Sequence, residues 1–185
     1  MITVDVLILS GAMPSSVAIT ADMLATANLL RRRDGRPPVF GARLVGSGAR
    51  DWRAIFAPVA AHDEAAADIL IVPGLGWASG TQVRERLAAA DAAQGQHLIQ
   101  AALARGAEVA TSCSGVFLAA AAGGLDGRRA TTSWWLAPLF RRLFPKVELD
   151  TDAVLVRDGP VTTAGAALAQ TDLMLSLIAR HADPA

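Results

Sequence analysis

Residues 107–124, AEVATSCSGVFLAAAAGG, constrain the fold of this chain more than any other stretch. Ala107 to Ser112 is short, apolar and β-branched, and reads as a buried strand. Gly115 to Ala122 is rich in alanine, with Val116, Phe117 and Leu118, and reads as a helix. Cys113, the only cysteine, sits on the joint between them. A strand that passes straight into a helix through small residues has the pattern of a nucleophile elbow. Such a turn is tight, and Ser112, Ser114 and Gly115 are small enough to line it. The elbow lifts its side chain out of the sheet at the carboxyl end of the strands. It also puts that side chain at a helix N-terminus, where unpaired N–H groups favour negative charge. A lone cysteine is more often a buried structural residue. The strand–SxSG–helix context favours an exposed elbow instead.

A chain of 185 residues, 52% of them hydrophobic, is long enough for one domain with a sizeable core. It carries 17 basic and 17 acidic side chains, so its net charge gives no reason to bind nucleic acid as a whole. One cysteine excludes an internal disulfide and fits a reducing cytoplasm. The opening MITVDVLIL lacks a basic leader and enters a strand pattern directly, so no signal peptide is expected. No apolar run is long enough to span a bilayer. His62, His97 and His181 are scattered singly, and no spacing of ligands suggests a metal. No cofactor is expected.

Residues 2–9, ITVDVLIL, read as a central strand. The turn Ser10–Pro14 follows, with Ser15 or Ser16 as cap of a helix to about Leu30. RRRDGRPP is a charged loop that reads as a solvated helix end. Val39 to Val45 is a second strand, and residues 55–60, IFAPVA, are a candidate strand in a small hairpin. DILIVPG, 68–74, is a continuous apolar run of the kind buried on both faces. Gly74-Leu75-Gly76 leaves the backbone open at its end. Residues 81–105 read as mostly helix, with Val83, Leu87, Ala90, Leu98, Ala101 and Ala102 at near-helical spacing. Beyond the elbow, Gly123–Gly127 is a turn, 130–134 a short strand or loop, and Trp134 to Phe144 a helix. Residues 153–165 form a hairpin around Asp158-Gly159. A last helix runs from Ala166 to about Arg180 with Leu168, Leu175 and Ile178 on one face. HADPA, 181–185, is a solvated tail or the start of a linker.

Strands alternating with helices predict an α/β fold, a doubly wound, mostly parallel sheet with helices on both faces. Such sheets bind ligands at the carboxyl ends of their strands. The turn at 10–16, Gly74–Gly76 and Cys113 converge there. The single domain is expected to span residues 1–185.

Five stretches carry a family likeness: GAMPSSVAITADML, DILIVPGLG, TSCSGVFLAAAAGGLDGRRATTSWW, LFRRLFP and DGPVTTAGAALAQTDLMLSLI. On these the chain resembles the ThiJ/PfpI superfamily, which has the glutamine-amidotransferase-like, flavodoxin-like fold. Within it, the chain is most similar to the N-terminal domain of AraC-family transcriptional regulators. The resemblance implies that an elbow cysteine is assisted by a carboxylate from the first strand–helix turn, a position held here by Ser16. It also implies a histidine after the paired threonines. Here Thr131-Thr132 is followed by Ser133. Asp22 matches an acidic position common in the family.

Both partners of the cysteine are thus hydroxyls. Ser16 and Ser133 can hydrogen-bond to Cys113, but neither can take up a proton near neutral pH. The N–H groups of Leu75 and Ser114 are expected to point to one spot as oxyanion-type donors. The expected pocket is lined by Ser16, Gly74, Leu75, Gly76, Ser114 and Ser133, with Asp22 nearby. Trp134 is its candidate wall. Trp134 and Trp135 otherwise read as core or subunit-interface residues. Thr131, Thr132, Thr162 and Thr163 fit strands by propensity alone.

Three functions follow. The first is the ligand-sensing, dimerising domain of an AraC-type regulator in the cytoplasm. It would bind a small polar metabolite and reach DNA only through a C-terminal domain absent from this chain. The second is a free-standing cysteine hydratase or hydrolase, acting on isonitriles, amides or α-ketoaldehydes. The third is a thiol redox sensor that uses Cys113 alone. The lost acid–base partners favour the first and argue against an enzyme.

Overall fold

The computed structural model describes residues 1–57, 59, 61, 66–166 and 168–182. The apolar run at the N-terminus forms β1 (Ile2–Leu7), buried along nearly its whole length. Next come α1 (Pro14–Arg33), β2 (Phe40–Val45), a 3-10 turn at Ala49–Trp52 and the single turn α2 (Arg53–Phe56). Then follow β3 (Ile69–Val72), α3 (Gly80–Leu87), α4 (Ala90–Ala104), β4 (Glu108–Ser112) and α5 (Gly115–Ala121). The last third holds β5 (Arg129–Ala130), a 3-10 turn at Trp134–Leu136, α6 (Ala137–Leu143) and β6 (Glu148–Leu149). It ends with β7 (Leu155–Asp158), β8 (Val161–Ala164) and α7 (Ala169–His181).

Six strands form the main sheet in the order β2-β1-β3-β4-β8-β7. All neighbours are parallel except β7, which returns on β8 as an antiparallel hairpin. This is the doubly wound, mostly parallel α/β arrangement that the alternating pattern predicts. Side chains on the two faces of the sheet feed two separate cores. Leu70, Val72 and Val109 pack on one face with Val83, Ile99, Phe117 and Phe140 from α3 to α6. Ile69, Ile71 and Ala110 pack on the other with Val17 and Leu24 of α1 and Leu173, Met174 and Leu177 of α7. Burial on both faces is why ILIV is apolar throughout rather than alternating.

The edge strand is pinned by one side chain. Fully buried Asn28 of α1 donates to the Phe40 carbonyl at 2.8 Å and accepts from the N–H groups of Val39 and Phe40 at 3.0 Å each.

Several local expectations are corrected. Neither Ser15 nor Ser16 caps α1. Pro14 opens the helix, its missing N–H costing nothing in the first turn, and Met13 precedes it without a side-chain cap. Arg53–Phe56 is helical, not a strand, while Pro58 and Ala60 lie outside the described residues. The helix expected over 81–105 is two helices, broken where Ala89 turns extended and Arg86 pairs with Asp91 at 2.6 Å. The segment 134–144 begins as a 3-10 turn, and Pro138 stands in the first turn of α6, which opens at Ala137. On α7 the stripe is Gln170, Leu173, Met174 and Leu177, an i, i+3, i+4, i+7 set, while Leu168 and Leu175 face outward. The tail begins later than expected. His181 still belongs to α7, and it contacts Glu108 at 3.0 Å beside the Arg180–Glu108 ion pair. Asp183, Pro184 and Ala185 lie outside the described residues.

Candidate functional site

Cys113 leaves β4 with φ +53°, the one positive φ of a non-glycine among the described residues. A left-handed residue that carries a side chain costs roughly 1–3 kcal/mol and persists only where its surroundings hold it. Here they hold it at three points. Its N–H donates to the Ala164 carbonyl at 2.9 Å, extending the β4–β8 pairing by one bond. Its carbonyl accepts from Thr132 Oγ1 at 2.8 Å. Its Sγ lies 3.0 Å from Ser133 Oγ.

The turn needs glycine two residues on. A Cβ on Gly115 would stand 2.7 Å from Thr111 Oγ1 and 2.8 Å from the Pro73 carbonyl oxygen. The elbow is therefore pressed against the end of β3, and only a bare Cα fits between them. The conformation is that of an elbow, but the exposure is not. Cys113 is only 3% accessible, so its side chain does not stand free above the sheet.

The oxyanion expectation is corrected as well. The N–H of Leu75 does not point into a shared pocket. It donates to Ser114 Oγ at 3.2 Å, and the N–H of Trp77 donates to the same oxygen at 3.2 Å. Ser114 thus clamps the Gly74–Trp77 loop onto the elbow. Gly76, at φ +67°, lets that loop turn against the Gly11 carbonyl, where a Cβ would come within 2.9 Å. Met13 N–H completes the junction by donating to the Gly74 carbonyl at 2.7 Å.

Ser16 is fully buried, and its Oγ has no hydrogen-bond partner within the protein. It stands beside the elbow: a Cβ on Gly74 would lie 3.1 Å from Ser16 Oγ and 3.4 Å from Cys113 Cβ. Asp22 does not join this group. It is exposed on α1, and six residues of helix turn it about 240° from Ser16. Trp134 is neither core nor enclosed wall. It is 72% exposed, with Trp135 edge-on to it at 5.7 Å between ring centres. Trp134 borders a hollow of about 140 Å³ with Thr132, Asp152, Val154, Gly165 and Ala169.

Two further residues, strand formers by propensity, take part in the site. Thr132 holds the Cys113 carbonyl, and Thr163 Oγ1 accepts the Thr131 N–H at 2.9 Å. The sequence signal for Thr132 is the hydroxyl pair Thr131-Thr132 just before Ser133, and that for Thr163 is the pair Thr162-Thr163 in β8. Among the described residues, the one side chain within hydrogen-bonding distance of the Cys113 sulfur is Ser133. His97 lies on α4 and His181 at the opposite end of β4; His62 lies outside the described residues. The arrangement can bind and orient a hydrogen-bonding group, but it places no proton acceptor of suitable pKa on the thiol.

Comparison with known proteins identifies relatives of the fold and of local sequence. No protein-family model matches the chain. A segment of 71 residues is 39% identical to the HTH-type transcriptional regulator CdhR of Pseudomonas aeruginosa, covering 38% of this chain and 21% of that protein. A segment of 68 residues is 40% identical to the HTH-type transcriptional regulator GlxA of Rhizobium meliloti, covering 37% and 21%. The similarity thus spans about a fifth of the length of either regulator. Among solved structures, an AraC family transcriptional regulator from Pseudomonas putida superposes with a TM-score of 0.69 at 21% identity, over 98% of this chain and 93% of that one. A ThiJ/PfpI family protein from Pseudomonas syringae gives 0.66 at 19% identity, over 97% and 68%. Drosophila melanogaster DJ-1beta gives 0.63 at 16%, over 98% and 90%. The chain therefore has the fold shared by DJ-1, ThiJ/PfpI proteins and AraC-family regulators, and its local sequence is similar to that of HTH-type regulators.

Proposed function

We propose that this chain is the ligand-sensing, dimerising domain of an AraC-type transcriptional regulator, with a cysteine site that binds rather than reacts. One observation carries the reading: the elbow thiol is buried and meets a serine hydroxyl where cysteine chemistry needs a base. The similarity to two HTH-type regulators supports it. In this reading a small polar metabolite sits in the hollow bordered by Thr132 and Trp134, and reaches the buried Cys113–Ser133 pair through Thr132, which holds the Cys113 carbonyl. The hollow at Trp134, about 140 Å³, also presents Thr132 and Asp152 to such a ligand. The loop Gly74-Leu75-Gly76, clamped by Ser114, shapes the adjoining rim, and Ser16 supports the elbow from behind. DNA contact belongs to a separate C-terminal domain of the parent protein, working in the compartment of the DNA. No helix among the described residues is long and apolar enough to cross a membrane.

Dimerisation is part of the proposal. Trp134, Trp135 and Leu168 are large apolar side chains left at the surface. The test of the site is a panel of amides, isonitriles and α-ketoaldehydes offered to the chain and to Cys113→Ala. No cysteine-dependent turnover is expected. Turnover on the order of 1 s⁻¹ or faster would make the hydratase reading the better account.

A further inference from the structure

Behind the cysteine lie three polar atoms without a hydrogen-bond partner in the protein: Ser16 Oγ on α1, Ser112 Oγ on β4 and Gln170 Oε1 on α7. All three residues are fully buried. They belong to one layer. Ser112 stands two residues beyond Ala110, whose side chain packs among α1 and α7, and residues two apart share a sheet face. Gln170 Nε2 donates to Thr20 Oγ1 at 2.9 Å, which draws the amide against α1. Thr20 Oγ1 donates in turn to the Ser16 carbonyl at 2.8 Å, one helical turn earlier. Ser16 and Thr20 therefore stand one above the other on the same face of α1.

Native proteins leave few buried polar atoms unpaired, because each forfeits its hydration without compensation. Three in one layer, on three different elements, call for a common partner. Their chemistry is complementary rather than alike. Ser16 and Ser112 each have a hydroxyl proton to donate, and the Gln170 amide oxygen only accepts. A water molecule matches this set, accepting two hydrogen bonds with its lone pairs and donating one of its protons.

We propose that Ser16, Ser112 and Gln170 together hold one internal water, which joins α1, β4 and α7 directly behind Cys113. The water makes α7 answerable to the elbow. At its far end α7 is tied to the start of β4 through Glu108; at its near end the water ties it to Ser112, the residue before the cysteine. The inference concerns the wall of the site and holds whether the site senses or reacts.

Thermal unfolding of the full chain gives a test by sign. If the water is held, Ser16→Ala and Ser112→Ala each remove one of its ligands and lower Tm by about 2–4 °C. The double variant then falls clearly short of the summed loss, because the first substitution already releases the shared water. If the hydroxyls are true orphans, each alanine removes an unsatisfied group and Tm stays level or rises, which overturns the proposal. Additive losses overturn it too, since they mean that the serines share no partner. A crystal structure of the unmodified chain provides a readout independent of variant folding. The expected result is one density peak within hydrogen-bonding distance of all three atoms, and its absence contradicts the proposal.

Discussion

Gly115 shows how much of this molecule turns on single atoms. Its missing Cβ lets the cysteine turn lie against Pro73 and Thr111. Gly115→Ala would force either β3 or the elbow to move. The expected cost is about 1–3 kcal/mol, typical of overpacking a filled interior, measured by chemical denaturation. Because the added methyl pushes on the turn itself, the Cys113–Ser133 contact should loosen, and iodoacetamide should label the thiol faster than in the unmodified chain. A Gly115→Ala variant with unchanged stability and labelling would mean that the packing is looser than these distances imply. At this scale the sequence was informative in one respect and misleading in another. Small residues around a lone cysteine announced the strained turn, since few other contexts need them. Burial was not announced, because it depends on Thr132, Ser133 and Ala164, which lie far along the chain and reach Cys113 only in the fold.

Among the elements, the β1–β3 joint has a titratable stitch. Asp68 accepts from the Thr3 N–H at 2.8 Å and from its hydroxyl at 2.7 Å. The backbone bond from Thr3 is the main cause that holds the Asp68 carboxyl below its ordinary value of 3.8; its hydroxyl, the N-terminus and His181 add to the effect, and partial burial opposes it. A depressed carboxylate contributes stability that is present above about pH 4 and is lost as pH falls through its lower folded value. Asp68→Ala should therefore destabilise the chain near neutral pH, and the gap to the unmodified protein should close on acidification below about pH 4. A gap independent of pH would exclude the carboxylate as its source. The elements themselves were largely legible. Apolar runs gave β1, β3 and β4, and the Asp158-Gly159 turn gave the β7–β8 hairpin. The misplaced stripe on α7 has a simple cause. Its middle, LMLSLI at 173–178, is apolar nearly all round, so periodicity offers several faces, and contact with α1 and the sheet selects Leu173, Met174 and Leu177. The break between α3 and α4 was hidden for a related reason: alanine suits a helix, and the break is made by Arg86 and Asp91.

At the scale of the whole molecule, the account joins a sheet that presents a cysteine turn, a site with hydroxyls in place of acid–base partners, and local similarity to HTH-type regulators. The doubly wound, mostly parallel arrangement could be foreseen from alternation alone, but not the strand order. The exposure of Trp134 could not, because a surface tryptophan reads the same in sequence as one in a core. The proposed regulator would act by letting its ligand favour one arrangement of the dimer over another, since equal affinity for both shifts nothing. The measurement that reaches this claim most directly uses the full-length gene product that contains the chain. Its affinity for operator DNA is titrated with and without a metabolite that raises the Tm of the chain, in the unmodified protein and in Ser133→Leu, which replaces the hydroxyl on the thiol by a bulkier apolar side chain. The account predicts that the metabolite shifts operator affinity by about 5–150-fold in the unmodified protein and leaves the Ser133→Leu protein unmoved, with ligand-free DNA binding intact. An equal shift in both proteins would contradict it, because the site at Cys113 would then not be the sensor.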